Sequence, residues 1–205
     1  MTELFVPGAR VVRWVENFEE RHGPTEYAVR DGALAGEAAD GSTFAVALPF
    51  GRVYRDAPEV AGLLAHSQPP QSWGVLLVRK GGFAVARLEL DRIVESKVGQ
   101  RHVQGRTKAG GQSQQRFARR RDNQARQAYG AAADHAARIL APLGRGWLVC
   151  GGDHAAVDAV LEDRRLAKFK KQVVGPWLAV PDPRRGVLEA AIADACSVRI
   201  AVHNA

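Results

Sequence analysis

Residues 73–90 read WGVLLVRKGGFAVARLEL. Two apolar runs of strand-forming residues flank Gly81-Gly82, which predicts a pair of strands joined by a tight turn. Residues 91–98, DRIVESKV, predict a third strand. Downstream the pattern changes. A helical period runs from about Ser113 to Leu140, with Phe117, Ala125, Ala128, Tyr129, Ala132, Ala136 and Ile139 on one face and Gly144 as its close. GWLVC (146–150) reads as a buried strand, and DHAAVDAVLED (153–163) as a helix. VVGPWLAV (173–180) reads as a strand, and PRRGVLEAAIADAC (183–196) as a final helix. Strands that first form a meander and then alternate with helices predict an α/β fold: a mixed sheet covered by helices.

Upstream, VVRWVENFEERHG (11–23) predicts a helix with Val12, Val15 and Phe18 at helical spacing and Gly23-Pro24 as its stop. Short strand-like runs follow, punctuated by Asp31-Gly32 and Asp40-Gly41, both favoured turn dipeptides. A short helix is expected over roughly Pro58–His66, and SQPPQS (67–72) reads as a linker. The expected organisation is therefore an N-terminal helix-plus-hairpin extension, residues 1–69, and a larger domain, residues 70–205.

Between these elements lies a segment of different character. Residues 105–124 read GRTKAGGQSQQRFARRRDNQ. The chain has 29 basic and 22 acidic side chains, a formal net charge of +7. Eight of the basic residues (Arg101, Arg106, Lys108, Arg116, Arg119, Arg120, Arg121 and Arg126) and one acid, Asp122, fall within 101–126. The remainder is balanced, with 21 of each sign. An ordinary solvated face intersperses both signs, and this segment does not. So concentrated an excess is the electrostatic footprint of an RNA or other polyphosphate partner.

Other function classes have little to support them. No run of about 18 apolar residues predicts a membrane helix, and MTELFVPGARVVRW lacks the pattern of a secretion signal. The two cysteines, Cys150 and Cys196, sit among apolar residues, where a buried thiol and a reducing cytoplasm are expected. The six histidines are scattered, without HExxH, GxSxG or phosphate-loop spacing. No metal and no cofactor is expected. Glu16, Glu19 and Glu20 are expected to face outward on the first helix. Asp153 and His154 follow Gly151-Gly152 at a strand-to-helix turn, where Asp153 is either an N-cap or part of an anion site.

Gly110-Gly111-Gln112 carries more chemistry. Two glycines allow the backbone close approach to a ligand. Glutamine is neutral and cannot act as a strong base. Its amide and backbone N–H can orient a water and stabilise charge developing on an oxygen, an effect worth about a hundred- to thousandfold in rate where such a donor is removed. The arginines that follow would grip phosphates and fix register.

GGQSQQRFARRR (110–121) resembles, in register, the GGQSxxRFxRxR signature of the central domain of eukaryotic and archaeal class-1 peptide-chain release factors. VQGRTKAGGQSQQRFARRRDNQ (103–124) most resembles the bacterial, actinobacterial branch of the Vms-like release factor (VLRF) family. The resemblance covers roughly residues 70–195. It implies an RNase-H-like mixed sheet and entry of the glutamine loop into the peptidyl-transferase centre of the large ribosomal subunit. There the ester between nascent peptide and tRNA is hydrolysed. Gln112, Gly110 and Gly111 match the catalytic motif, with Gln114 as the alternative glutamine. Arg106, Lys108, Arg116, Arg119, Arg120, Arg121 and Arg126 are the implied RNA contacts. The implied partners are ribosomal RNA and peptidyl-tRNA, with no membrane, and a monomer in the cytoplasm is expected. Neither a codon-reading domain nor the partner-binding C-terminal domain of the classical factors is found in the sequence, so rescue of stalled or split ribosomes is expected rather than stop-codon termination. Two alternatives stay open. One is a nuclease cutting the tRNA 3′ end, for which His102 is the local candidate base. The other is a non-catalytic RNA- or ribosome-binding module.

Overall fold

The computed structural model describes residues 2–100 and 129–205. The chain divides into two compact units, residues 1–69 with 192–205, and residues 70–191. The first division falls within the proline-containing linker, and the second within the last helix.

In the first unit, β1 (Thr2–Val6) is followed by α1 (Gly8–His22), the strands β2 (Thr25–Arg30), β3 (Ala33–Ala38) and β4 (Thr43–Ala47), and α2 (Val60–Ala65). The last strand of the chain, β10 (Val198–His203), completes the sheet in the order β1-β10-β4-β3-β2, every neighbouring pair antiparallel. The expected turns are present. Asp31 and Gly32 both adopt positive φ between Arg30 and Ala33, as a two-residue hairpin turn of the favoured twist requires. At the next turn the Asp40 carboxylate accepts from the Ser42 backbone N–H at 2.8 Å, which with His22 holds its carboxyl below the usual range.

α1 buries Val11, Val15 and Phe18, not Val12, which is 48% exposed. The difference is one of phase. Val11 and Val15 are four apart and Phe18 three further on, a stripe that stays on one side of the helix. That stripe packs on Leu34, Phe44, Val46 and Ile200 of the sheet. Phe18 and Phe44 meet edge to face with centroids 4.9 Å apart. Glu19 does not simply face outward: it accepts from the Tyr27 hydroxyl at 2.7 Å. Burial first, then that carboxylate, pushes the phenol upward from its ordinary range.

The second unit holds β5 (Trp73–Arg79), β6 (Gly82–Glu89), β7 (Arg92–Gln100), α3 (129–140), β8 (Trp147–Gly152), α4 (His154–Leu161), β9 (Val173–Leu178) and the start of α5 (Arg185–Ala195). Sheet order is β7-β6-β5-β8-β9. β5, β6 and β7 form the expected antiparallel meander, and β5, β8 and β9 run parallel. This is the mixed α/β sheet the sequence predicts. The β5–β6 turn is Lys80-Gly81, with Gly82 already paired to Arg79. β5 is central and buried from Trp73 to Val78.

Packing follows from the periodicities. Ala132, Ala136 and Ile139 of α3 and Val157, Val160 and Leu161 of α4 share one core with Leu76, Val78, Val85, Leu148 and Cys150 of the sheet. Burial, and secondarily the charge of Asp158, pushes the Cys150 thiol up to about 12. It is a core residue with no thiolate chemistry near neutral pH.

Candidate functional site

Gln112, Gly110 and Gly111, with Gln114, His102, Arg106, Lys108, Arg116, Arg119, Arg120, Arg121 and Arg126, lie outside the described residues. The described residues on either side of that segment in the chain lie at one end of the second sheet. Gln100, the last described residue before it, pairs with Gly82, and Gly82 in turn pairs with Arg79 at the end of β5. The parallel strand β8 ends beside them, with Gly152 opposite Val78. Tyr129, at the first described turn of α3, packs on the same core. Its phenol is pushed up by burial and, after that, by the charge of Asp153. The chain therefore leaves from and returns to the end of the sheet where β5 and β8 finish. Carboxyl ends of parallel strands are where open α/β sheets place their ligand sites.

Two glycines allow β8 to end there. Gly152 has φ +91°, and a side chain on it would clash with the Val78 carbonyl. A methyl on Gly151 would meet the Leu178 carbonyl at 2.5 Å. Gly151 is thus needed for close strand packing, and Gly152 for the turn into α4.

Asp153 occupies the N-cap position of α4, its carbonyl accepting from the N–H groups of Ala156 and Val157 at 3.0 Å. Its side chain makes no capping hydrogen bond. The carboxylate instead faces Arg79, with Oδ1 4.0 Å from Nη2. Arg79 also lies 3.5 Å from Asp182 through Nε, and its Nη1 donates to the Val180 carbonyl at 2.8 Å. The two ion pairs are part-exposed and stretched, so each contributes little. The hydrogen bond to Val180 is the tighter tether. One arginine thereby ties the end of β5 to the β8–α4 turn and to the loop after β9. With two carboxylates around it, Arg79 is not a free anion-binding cation.

His154 and Trp177 form the other half of this site. Their rings stack with centroids 3.6 Å apart and planes 12° from parallel. The Trp177 indole N–H donates to the Gly152 carbonyl at 3.1 Å. Trp177 reaches this position because β9 leaves its ladder. Val149 pairs with Val174, yet Gly151 pairs with Leu178, so Gly175, Pro176 and Trp177 bulge opposite Cys150 alone. Pro176 has no N–H to offer the ladder, which suits a bulge on an edge strand. From the sequence, Trp177 reads only as a strand residue. The Gly-Pro inside that strand was the available signal that its register would break.

Among the described residues no group of His, Cys, Asp and Glu is placed to hold a metal ion, and no helix is long and apolar enough to cross a membrane.

The family model described as the Actinobacteria/chloroflexi VLRF1 release factor matches residues 71–201. Among solved structures, the crystal structure of the archaeal translation termination factor aRF1 aligns with a TM-score of 0.39 and 12% sequence identity. The alignment covers 95% of this chain and 66% of that one. No curated protein matches the sequence. With the match running from the linker through the whole second unit and into the last strand, the chain belongs to the actinobacterial and chloroflexal VLRF1 release-factor family.

Proposed function

We propose that this protein is a codon-independent peptidyl-tRNA hydrolase. It would release nascent chains from tRNA in the peptidyl-transferase centre of the large ribosomal subunit during rescue or quality control in the cytoplasm. The observation that carries the proposal is Gly110-Gly111-Gln112-Ser113 followed by RFARRR, in a chain that belongs to a release-factor family. In this reading residues 70–205 are the release-factor-like domain, and residues 1–69 are the N-terminal extension.

The chemistry asked of the loop is modest and suits its residues. Water attacks the carbonyl carbon of the peptidyl ester. The ribose oxygen departs with one of the water's protons and the other is released to solvent, which leaves a free peptide carboxylate and an intact tRNA. Gln112 has no basicity to supply. Its side-chain amide would orient the water, and its backbone N–H would stabilise charge on the departing oxygen. Gly110 and Gly111 let the backbone approach the ester without a Cβ in the way. Arg106, Lys108, Arg116, Arg119, Arg120, Arg121 and Arg126 would hold ribosomal and transfer RNA by their phosphates, setting position rather than reading sequence.

The test is product analysis on stalled peptidyl-tRNA bound to large subunits. Free peptide with full-length tRNA is the expected result, and Gln112→Ala should slow it by about a hundredfold or more. Peptide attached to a short 3′ RNA fragment would assign a nuclease instead. Equal rates for wild type and Gln112→Ala would remove Gln112 from the mechanism. Gln114→Ala then tests the second glutamine.

A further inference from the structure

We infer that the stacked rings of His154 and Trp177 form a platform for an unpaired RNA base, at the end of the second sheet where Gln100 leads into the segment to which the hydrolase reading assigns the chemistry. The inference rests on that reading for RNA as the partner, and it adds a contact made by base rather than by phosphate.

Three observations carry it. The first is the build of the stack. Trp177 packs against the core, and its N–H is held by the Gly152 carbonyl. Its plane is therefore fixed before any ligand arrives. His154 lies parallel on it at 3.6 Å and is itself exposed, so a column of rings rises from the core and ends on an imidazole. His154 is the first residue of α4, and the residue before it donates its backbone N–H to the Val78 carbonyl at 2.9 Å. Little conformational freedom remains to be lost on binding.

The second is location. Gln100 on one edge strand and the Arg79–Gly82 pair finish at the same end of the sheet as Gly152, whose carbonyl holds Trp177 on the opposite edge strand. The chain enters the basic segment from this end of the sheet. RNA drawn by the eight basic residues of 101–126 is thereby brought to the end of the sheet that carries the rings.

The third is local charge. Asp153 adjoins His154, and with Asp182 it occupies the nearby Arg79. Two carboxylates around one guanidinium repel a phosphate. They do not repel a base, whose exocyclic amines can donate to a carboxylate. Base stacking needs only a π-face, so it tolerates any sequence, as a codon-independent factor requires.

The experiment uses the full chain and two single-stranded RNAs of equal length and charge, one ordinary and one carrying abasic sites. Wild type should bind the ordinary RNA about 5- to 150-fold more tightly, the range for one stacked base. His154→Ala should lose that preference, and His154→Tyr should restore it. The dependence on salt should stay the same in all three, since every phosphate partner is retained. A 2-aminopurine placed in the RNA should be quenched by wild type and not by His154→Ala. Equal binding of the two RNAs by wild type, or a preference that survives in His154→Ala, overturns the platform while leaving the hydrolase reading intact. Absence of salt-dependent binding to either RNA overturns both.

Discussion

Ile200 on β10 lies directly opposite Val46 on one side and Leu4 on the other, and neither Ile200 nor Val46 exposes any surface. The last strand of the chain is thus an interior strand of the first sheet. It separates β1 from β4, and its side chains meet the stripe of α1 that carries Val11, Val15 and Phe18.

Loss of that strand should therefore be felt in the N-terminal unit. Ile200→Ala removes buried methyl groups and leaves a cavity, at a cost of about 2–5 kcal/mol. Denaturant unfolding followed by Trp14 fluorescence, in a chain whose other tryptophans are replaced by phenylalanine, should show the midpoint fall. A variant ending at Ser197 should lose protection of β1 and β4 amides in hydrogen exchange. Unchanged protection would mean that β10 contributes nothing to the sheet.

Gly152→Ala should destabilise the second unit more than an ordinary surface alanine. Its φ of +91° disfavours any side chain, and the methyl would clash with the Val78 carbonyl. Strain alone costs about 1–3 kcal/mol, and the clash adds to it. Thermal unfolding measures this. Gly186→Ala serves as the control, since a methyl there meets nothing within 4 Å.

Cys150 should not react with thiol reagents at pH 8 while the protein is folded. In a Cys196→Ser background, labelling should require unfolding and rise with denaturant. The sign of the pH effect follows from the raised pKa of about 12. The unfolded thiol ionises first, so the contribution is complete below the ordinary thiol range and is lost as pH climbs towards 12. The stability difference between wild type and Cys150→Ala should accordingly narrow over that interval. A widening difference would reverse the assignment.

If Arg119 and Arg120 grip phosphates, alanine at either should weaken binding evenly across RNA sequences. Each phosphate released from the protein's grip should lower the slope of log affinity against log salt by about 0.7–0.9. An unchanged slope would free these two residues from a phosphate-binding role.

The elements of the second unit were legible because each carries its own period. Residues 73–98 show strand runs separated by turn residues, and the stripe of Ala132, Ala136 and Ile139 marks the inner face of α3. The turns at Asp31-Gly32 and Asp40-Gly41 were equally local, since positive φ selects those residue types. α1 was placed correctly but assigned the wrong valine. Val11 and Val12 are equally apolar, and only packing on Phe44 and Leu34 chooses between them. The strand Val198–His203 carried no mark of its partners, because they lie at the other end of the chain.

The same division runs through the site. By itself the sequence determined where the charge lies and that strands of one mixed α/β unit precede and follow that stretch in the chain, because composition and periodicity are properties of contiguous residues. Only the tertiary structure decided that Asp153 faces Arg79 instead of capping α4. Only it set Trp177, in the bulge of β9, under His154. Those contacts join residues from separate strands and loops, and the second exists because the register of β9 breaks opposite Cys150. Register between two strands is a property of the pair, so neither strand's sequence contains it alone.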